Sequence, residues 1–180
     1  TGFDILANRR ISPGIAHSLA LFALVFAGLC MAWSAVLVGW PLLFFGALSL
    51  LLTSTYANPP LQYAYRHWGL GELGVWLNFG LLQMLMGYYA QAATLTWTPF
   101  WLSIPFGLLA VLSIHNFNFI YHRRDWLIHK RTIVVQLGTE RAVDLSSLLI
   151  VLVFVAFLLI ASLAVMPLRV LVTLLALPTA

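Results

Sequence analysis

The sequence predicts an all-α fold, a polytopic helical bundle set in a membrane. Three observations carry that prediction. Of 180 residues, 62% are hydrophobic and only 8% charged, and the mean hydropathy is +0.98. A water-soluble chain of this size cannot hide that much apolar surface. The apolar residues also fall in runs matching the roughly 20 residues that cross a bilayer as a helix, without the period-two alternation of a membrane β-barrel. Finally, the cations are confined to alternate connectors between these runs. The single cysteine, Cys30, lies inside an apolar run, so there is no disulfide framework.

Spans are predicted at 14–35, 38–57, 72–93, 98–119 and 145–165, with an incomplete one from 168 to 180. Ser12-Pro13-Gly14 suits the start of the first, with serine as N-cap and proline at the first helical position. Pro41 and Pro99 fall near the starts of the second and fourth. Pro105 lies inside the fourth, where membrane helices tolerate a kink. The chain opens on Thr1 without the basic segment and cleavage site of a signal peptide, and it stops within the apolar run VLVTLLALPTA. A piece of a longer membrane protein, cut at both ends, is the expectation.

Arg9 and Arg10 precede the first span, and Arg66 separates the second from the third. Arg123, Arg124, Lys130, Arg131 and Arg141 lie between the fourth and fifth. With alternating spans all of these emerge on one face, while the opposite connectors carry only Arg169, at a border. This positive-inside pattern makes that face cytoplasmic, in what is expected to be a bacterial plasma membrane. The net charge of +4 therefore reports topology, and no nucleic-acid partner is expected.

Topology does not account for a carboxylate amid the cations of NFIYHRRDWLIHKRT, residues 118–132. His115, Asn118, Tyr121 or His122, Asp125 and His129 recur at spacings of three and four, which places them on one face of a helix leaving the membrane. Polar residues at such a boundary generally face a cavity or the bundle interior. A carboxylate and an amide beside several cations suit a magnesium diphosphate: oxygens for Mg2+, cations for the phosphates.

Three blocks resemble the UbiA superfamily of intramembrane aromatic prenyltransferases, most closely its menaquinone-type, dihydroxynaphthoate branch. HNFNFIYHRRDWLIHKRTIVVQLG, residues 115–138, is similar to the second aspartate motif, D-x-x-x-D followed by a G-K-R-T tail. YANPPLQYAYRHWGLGELGVWLNFG, residues 56–80, resembles the block with Y-x-x-x-P and an R-G-x-G-E-like turn, and YYAQ comes next at 88–91. NRRISP, residues 8–13, is similar to the stretch after the first aspartate motif. The resemblance implies a single domain over 1–180, contributing about six helices of a nine-helix bundle, with the first aspartate motif upstream of Thr1. There is a departure. Aligning Lys130-Arg131-Thr132 with K-R-T puts Asp125 at the second aspartate and Tyr121 at the first, and His129 stands where the family has glycine.

The resemblance implies Mg2+-dependent transfer of a polyprenyl group from a polyprenyl diphosphate to an aromatic acceptor within the lipid bilayer. Asp125 would be the catalytic metal ligand, with Asn118 as a second oxygen donor. Arg66, Lys130, Arg131 and Arg9 would bind the diphosphate. Tyr65, Trp68, Tyr88 and Tyr89 would line the prenyl chain or shield an allylic cation through their π-faces, and Asn78 and Gln91 would hold the acceptor.

Plainer roles stand beside these. Arg123 and Arg124 point off the Asp125 stripe and read as topology determinants. Asp125 can simply pair with Arg124, Lys130 or His129. Asn78, Tyr88 and Gln91 suit helix packing as well as substrate contact. Glu72 reads as a structural anion at a helix N-terminus. His115, His122 and His129 recur every seven residues, but a membrane di-iron centre needs His pairs from several helices, and no second cluster exists. A non-catalytic membrane protein or transporter that kept the fold is the alternative to an enzyme.

Overall fold

In the computed structural model, residues 12–66 and 69–163 are described. They form α1 (Pro13–Val38), α2 (Pro41–Ala57), a 3-10 turn (Tyr63–Tyr65), α3 (Leu70–Val75), a π-helical segment (Trp76–Leu82), α4 (Gln83–Ala92), α5 (Trp97–Ile120), α6 (His122–Leu127), α7 (Ile133–Leu137) and α8 (Thr139–Ser162). No strand occurs among them. Helices α1, α5 and α8 are long and apolar enough to cross a membrane, and α2 is a shorter apolar helix.

The spans expected from apolar runs correspond to α1, α2, the continuous helical run from α3 through α4, α5 and α8. Ser12 caps α1 as predicted, its Oγ accepting from Ile15 N at 3.3 Å. Helix α8 starts earlier than its apolar run, because Glu140, Arg141 and Asp144 extend it beyond the stretch that hydropathy detects. The partial span from 168, together with Arg9, Arg10, Trp68 and Arg169, lies outside the described residues.

Helix α5 is the hub, packed against α8 on one side and the π segment on the other. On α8, Ala142, Leu149, Val153, Ala156, Phe157 and Ile160 are buried, at the helical spacing of one face. Phe157 meets Phe106 edge-on at 5.7 Å. His115, fully buried, joins its Nε2 to the Ala142 carbonyl at 2.9 Å. A carbonyl only accepts, so Nε2 carries the proton. Against the π segment, small residues permit close approach: a Cβ on Gly80 would lie 2.5 Å from the Gly107 Cα, and one on Gly107 would run into the Trp76 ring.

Helix α2 is tied to this hub by polar bonds rather than by apolar fit alone. Asn78, in the π segment, accepts from Ser49 Oγ at 2.6 Å and donates through Nδ2 to Thr53 Oγ1 at 2.8 Å. Ser49 and Thr53 are four residues apart, on one face of α2. Tyr63 donates its hydroxyl to the Leu52 carbonyl at 2.7 Å, and burial pushes its phenol pKa upward, so it remains a donor.

Candidate functional site

The site grows from the way α5 ends. Helix α5 stops at Ile120, and Tyr121 (φ −101, ψ 12) leads into the six-residue α6. The single helix expected to run through His129 is therefore broken. Three of its predicted inward positions nonetheless stay inward, His115 at 0% exposure, Asn118 at 1% and Asp125 at 5%. His129 does not. It takes a left-handed conformation, φ 57, and is exposed. His129 N bonds the Trp126 carbonyl at 3.2 Å and Lys130 N bonds the Asp125 carbonyl at 2.9 Å. This pair of bonds is a Schellman stop. It explains why a glycine suits the position that His129 fills, since a Cβ disfavours that backbone region.

The stop turns the chain back, and Lys130 reaches under the helix it has just left. Its Nζ donates to Asp125 Oδ2 at 3.3 Å and to Asn118 Oδ1 at 3.2 Å. Asn118 Nδ2 in turn donates to Glu72 Oε1 at 3.3 Å, and the same oxygen accepts from Ile133 N at 3.3 Å. Thr132, which caps α7 through its Oγ1, is buried alongside. A connected polar chain thus runs Asp125–Lys130–Asn118–Glu72 at the basic end of the bundle. Such a network is stable in low dielectric because each member has a partner. Glu72, read from sequence as a structural anion at a helix N-terminus, is one of its members.

The other candidates are arranged around this chain. Arg131 is exposed and shares with Lys130 a groove of about 450 Å3, lined also by Trp126, His129 and Gln136. Arg66 is exposed and bonds through Nε to the Leu61 carbonyl at 2.9 Å. Tyr65 is half-buried in the turn before it. The Tyr121 ring lies 4.6 Å from that of Phe117 and beneath the Arg124 guanidinium at 5.9 Å. Asn78 borders a cavity of about 210 Å3 with Thr53, Tyr56, Tyr63 and Phe79, although both its polar atoms are engaged with α2. Tyr88 and Gln91 sit toward the opposite end of the bundle. At 1.5 Å rise per residue, Tyr88 is roughly 24 Å along the helical run from Glu72. Gln91 bonds the Gly87 carbonyl of its own helix. One small ligand cannot touch both groups.

Asp125 and Asn118 have the oxygen chemistry for Mg2+, but the arrangement does not fit an ion held by these residues. Their facing oxygens are already bridged by an ammonium. Among the described residues no group of three or more His, Cys, Asp or Glu side chains converges to hold a metal.

Known proteins of similar sequence place the chain among its relatives. A family model described as the UbiA prenyltransferase family matches residues 4–180. The 2-carboxy-1,4-naphthoquinone phytyltransferase of Synechocystis sp. is 29% identical over 148 residues, covering 78% of this chain and 47% of that protein. The 1,4-dihydroxy-2-naphthoate octaprenyltransferase of Escherichia coli is 36% identical over 102 residues, 56% of this chain and 32% of that protein. The chain thus spans about half or less of these curated relatives. No solved structure gives a significant match.

Proposed function

Since the chain belongs to the UbiA prenyltransferase family, an integral membrane family, we propose that it forms the second-aspartate half of a prenyltransferase whose donor is a polyprenyl diphosphate. The acceptor is an aromatic ring, and a naphthoate is favoured because both named relatives carry naphthoquinone or naphthoate acceptors in their names. The observation that carries this is the buried Asp125–Lys130–Asn118–Glu72 chain at the basic end of the bundle. By the positive-inside pattern that end faces the cytoplasm.

In the reaction the allylic C–O bond breaks and diphosphate leaves with the electron pair. The resulting cation is attacked by a ring carbon, and loss of the ring proton restores aromaticity. Negative charge gathers on the leaving group, so fixed positive charge nearby lowers the barrier. Lys130 and Arg131, along one groove, supply that charge, with Arg66 and Arg9 as further phosphate ligands. Asp125 and Asn118 hold the Lys130 ammonium in place. Any Mg2+ enters this reading as the ion that accompanies the diphosphate. The membrane-embedded helices exclude the water that would quench the cation. Tyr65 suits the acceptor, Asn78 serves to tie α2 to the π segment, and Tyr88 and Gln91, farther along, suit the isoprenoid tail.

The test is product formation. Full-length protein in lipid nanodiscs is incubated with polyprenyl diphosphates of several lengths and with hydroxynaphthoate or hydroxybenzoate acceptors, and products are read by mass spectrometry. A prenylated naphthoate is expected. Absence of any prenylated ring under all donor and acceptor combinations rejects the proposal in favour of a non-catalytic membrane protein of the same fold, a reading to which Tyr121 in place of a carboxylate lends support.

A further inference from the structure

Asp125 Oδ2 and Asn118 Oδ1, two of the oxygens that would hold a divalent ion at this aspartate motif, are occupied by a cation that belongs to the chain. We propose that the Lys130 ammonium takes the place of a metal ion here, so that this half of the site meets a diphosphate with a fixed organic charge. The identification of the anion rests on the function proposed above; the exchange of metal for ammonium does not.

Four features support it. Lys130 Nζ lies 3.3 Å from Asp125 Oδ2 and 3.2 Å from Asn118 Oδ1, with only 12% of the lysine side chain and 7% of the aspartate exposed. Mg2+ binds oxygen at about 2.0–2.1 Å, so an ion on these same two oxygens would collide with Nζ, and each cation excludes the other. The turn is built for the lysine: the bond from Lys130 N to the Asp125 carbonyl closes the stop at His129 and aims the side chain back at the carboxylate. The amide of Asn118 is oriented by Glu72, which takes its Nδ2 hydrogen and leaves Oδ1 facing Lys130. Finally, the second carboxylate that a metal would need is Tyr121, whose ring is packed on Phe117. An ammonium has three donors. Two are spent on Asp125 and Asn118, and the third is left for a phosphate oxygen.

The experiment uses the full-length protein in detergent, with Mn2+ as the probe for divalent binding and inorganic pyrophosphate as the anion, each followed by calorimetry and Mn2+ spin resonance. With Lys130 present, Asp125→Asn is expected to leave Mn2+ affinity within about twofold. Lys130→Met should weaken metal-free pyrophosphate binding by about tenfold and create a Mn2+ site, which Asp125→Asn then abolishes. Lys130→Arg keeps the charge and should bind metal-free pyrophosphate within about threefold of the parent. If Asp125→Asn alone weakens Mn2+ binding about tenfold or more, the motif is a metal site and the inference is overturned. Should Lys130→Met fail to fold, the parent, Asp125→Asn and Lys130→Arg still decide it. Failure of prenyl transfer with this Mn2+ pattern intact would remove the proposed function and leave the exchange standing.

Discussion

Glu72 offers the sharpest test of the polar chain, because its Oε1 holds two separate elements at once. It accepts from Asn118 Nδ2 on α5 and from Ile133 N at the start of α7, both at 3.3 Å, with the residue 5% exposed. A hydrogen bond to a charged group contributes about 1.5–3 kcal/mol. Both bonds are long, so the lower figure applies to each, and Glu72→Ala should cost about 3 kcal/mol. Glu72→Gln keeps a carbonyl acceptor in the same place. It loses the charge assistance and the favourable position at a helix N-terminus, for a cost of about 1 kcal/mol. The assay is equilibrium unfolding of the full-length protein in mixed micelles, titrated with SDS and followed by tryptophan fluorescence. Equal costs for the two substitutions would refute the reasoning, since charge alone would then matter and the bonds to Asn118 and Ile133 would not. Costs below about 0.5 kcal/mol for both would show that Glu72 holds neither element.

The same geometry sets other outcomes. Asp125→Asn should lower prenyl transfer by about a hundredfold, because Lys130 loses the partner that aims it at the diphosphate; turnover within a few-fold of the parent counts against that role. At His129 stability should order Gly above Ala above Val, with valine about 1–2 kcal/mol below alanine in thermal unfolding, since a left-handed φ penalises a branched Cβ most. Gly107→Ala should cost about 1–3 kcal/mol from the collision with Trp76, and a smaller loss in the SDS titration would mean the helices part easily there. His115→Phe removes the bond to the Ala142 carbonyl and should cost about 1–3 kcal/mol on the same scale.

Legibility in the sequence depended on how far apart the partners lie along the chain. The spans were readable because an apolar run and a proline report on their own neighbourhood. The burial of His115, Asn118 and Asp125 was readable for a similar reason: helical spacing survives a break at Tyr121 that displaces the residues beyond it. The reach of Lys130 was not. It depends on a left-handed residue, and a histidine there gives no signal of the reversal that a glycine would have given. The tie from Glu72 to Asn118 spans 46 residues and that to Ile133 spans 61, beyond any periodicity. Asn78 shows the converse, since its polarity within an apolar run marked it, but only the fold revealed that Ser49 and Thr53 satisfy it.

The short hairpin of α6 and α7 has one further property. Trp126 and Leu127 stand 68% and 69% exposed beside Arg123 and Arg124. An indole and a leucine next to guanidinium groups settle where acyl chains give way to headgroups. A hairpin anchored at that boundary would hold Asp125 and Lys130 just beneath it. In the reaction proposed above, a polyprenyl diphosphate would enter from the lipid with its charged head held at that same interface.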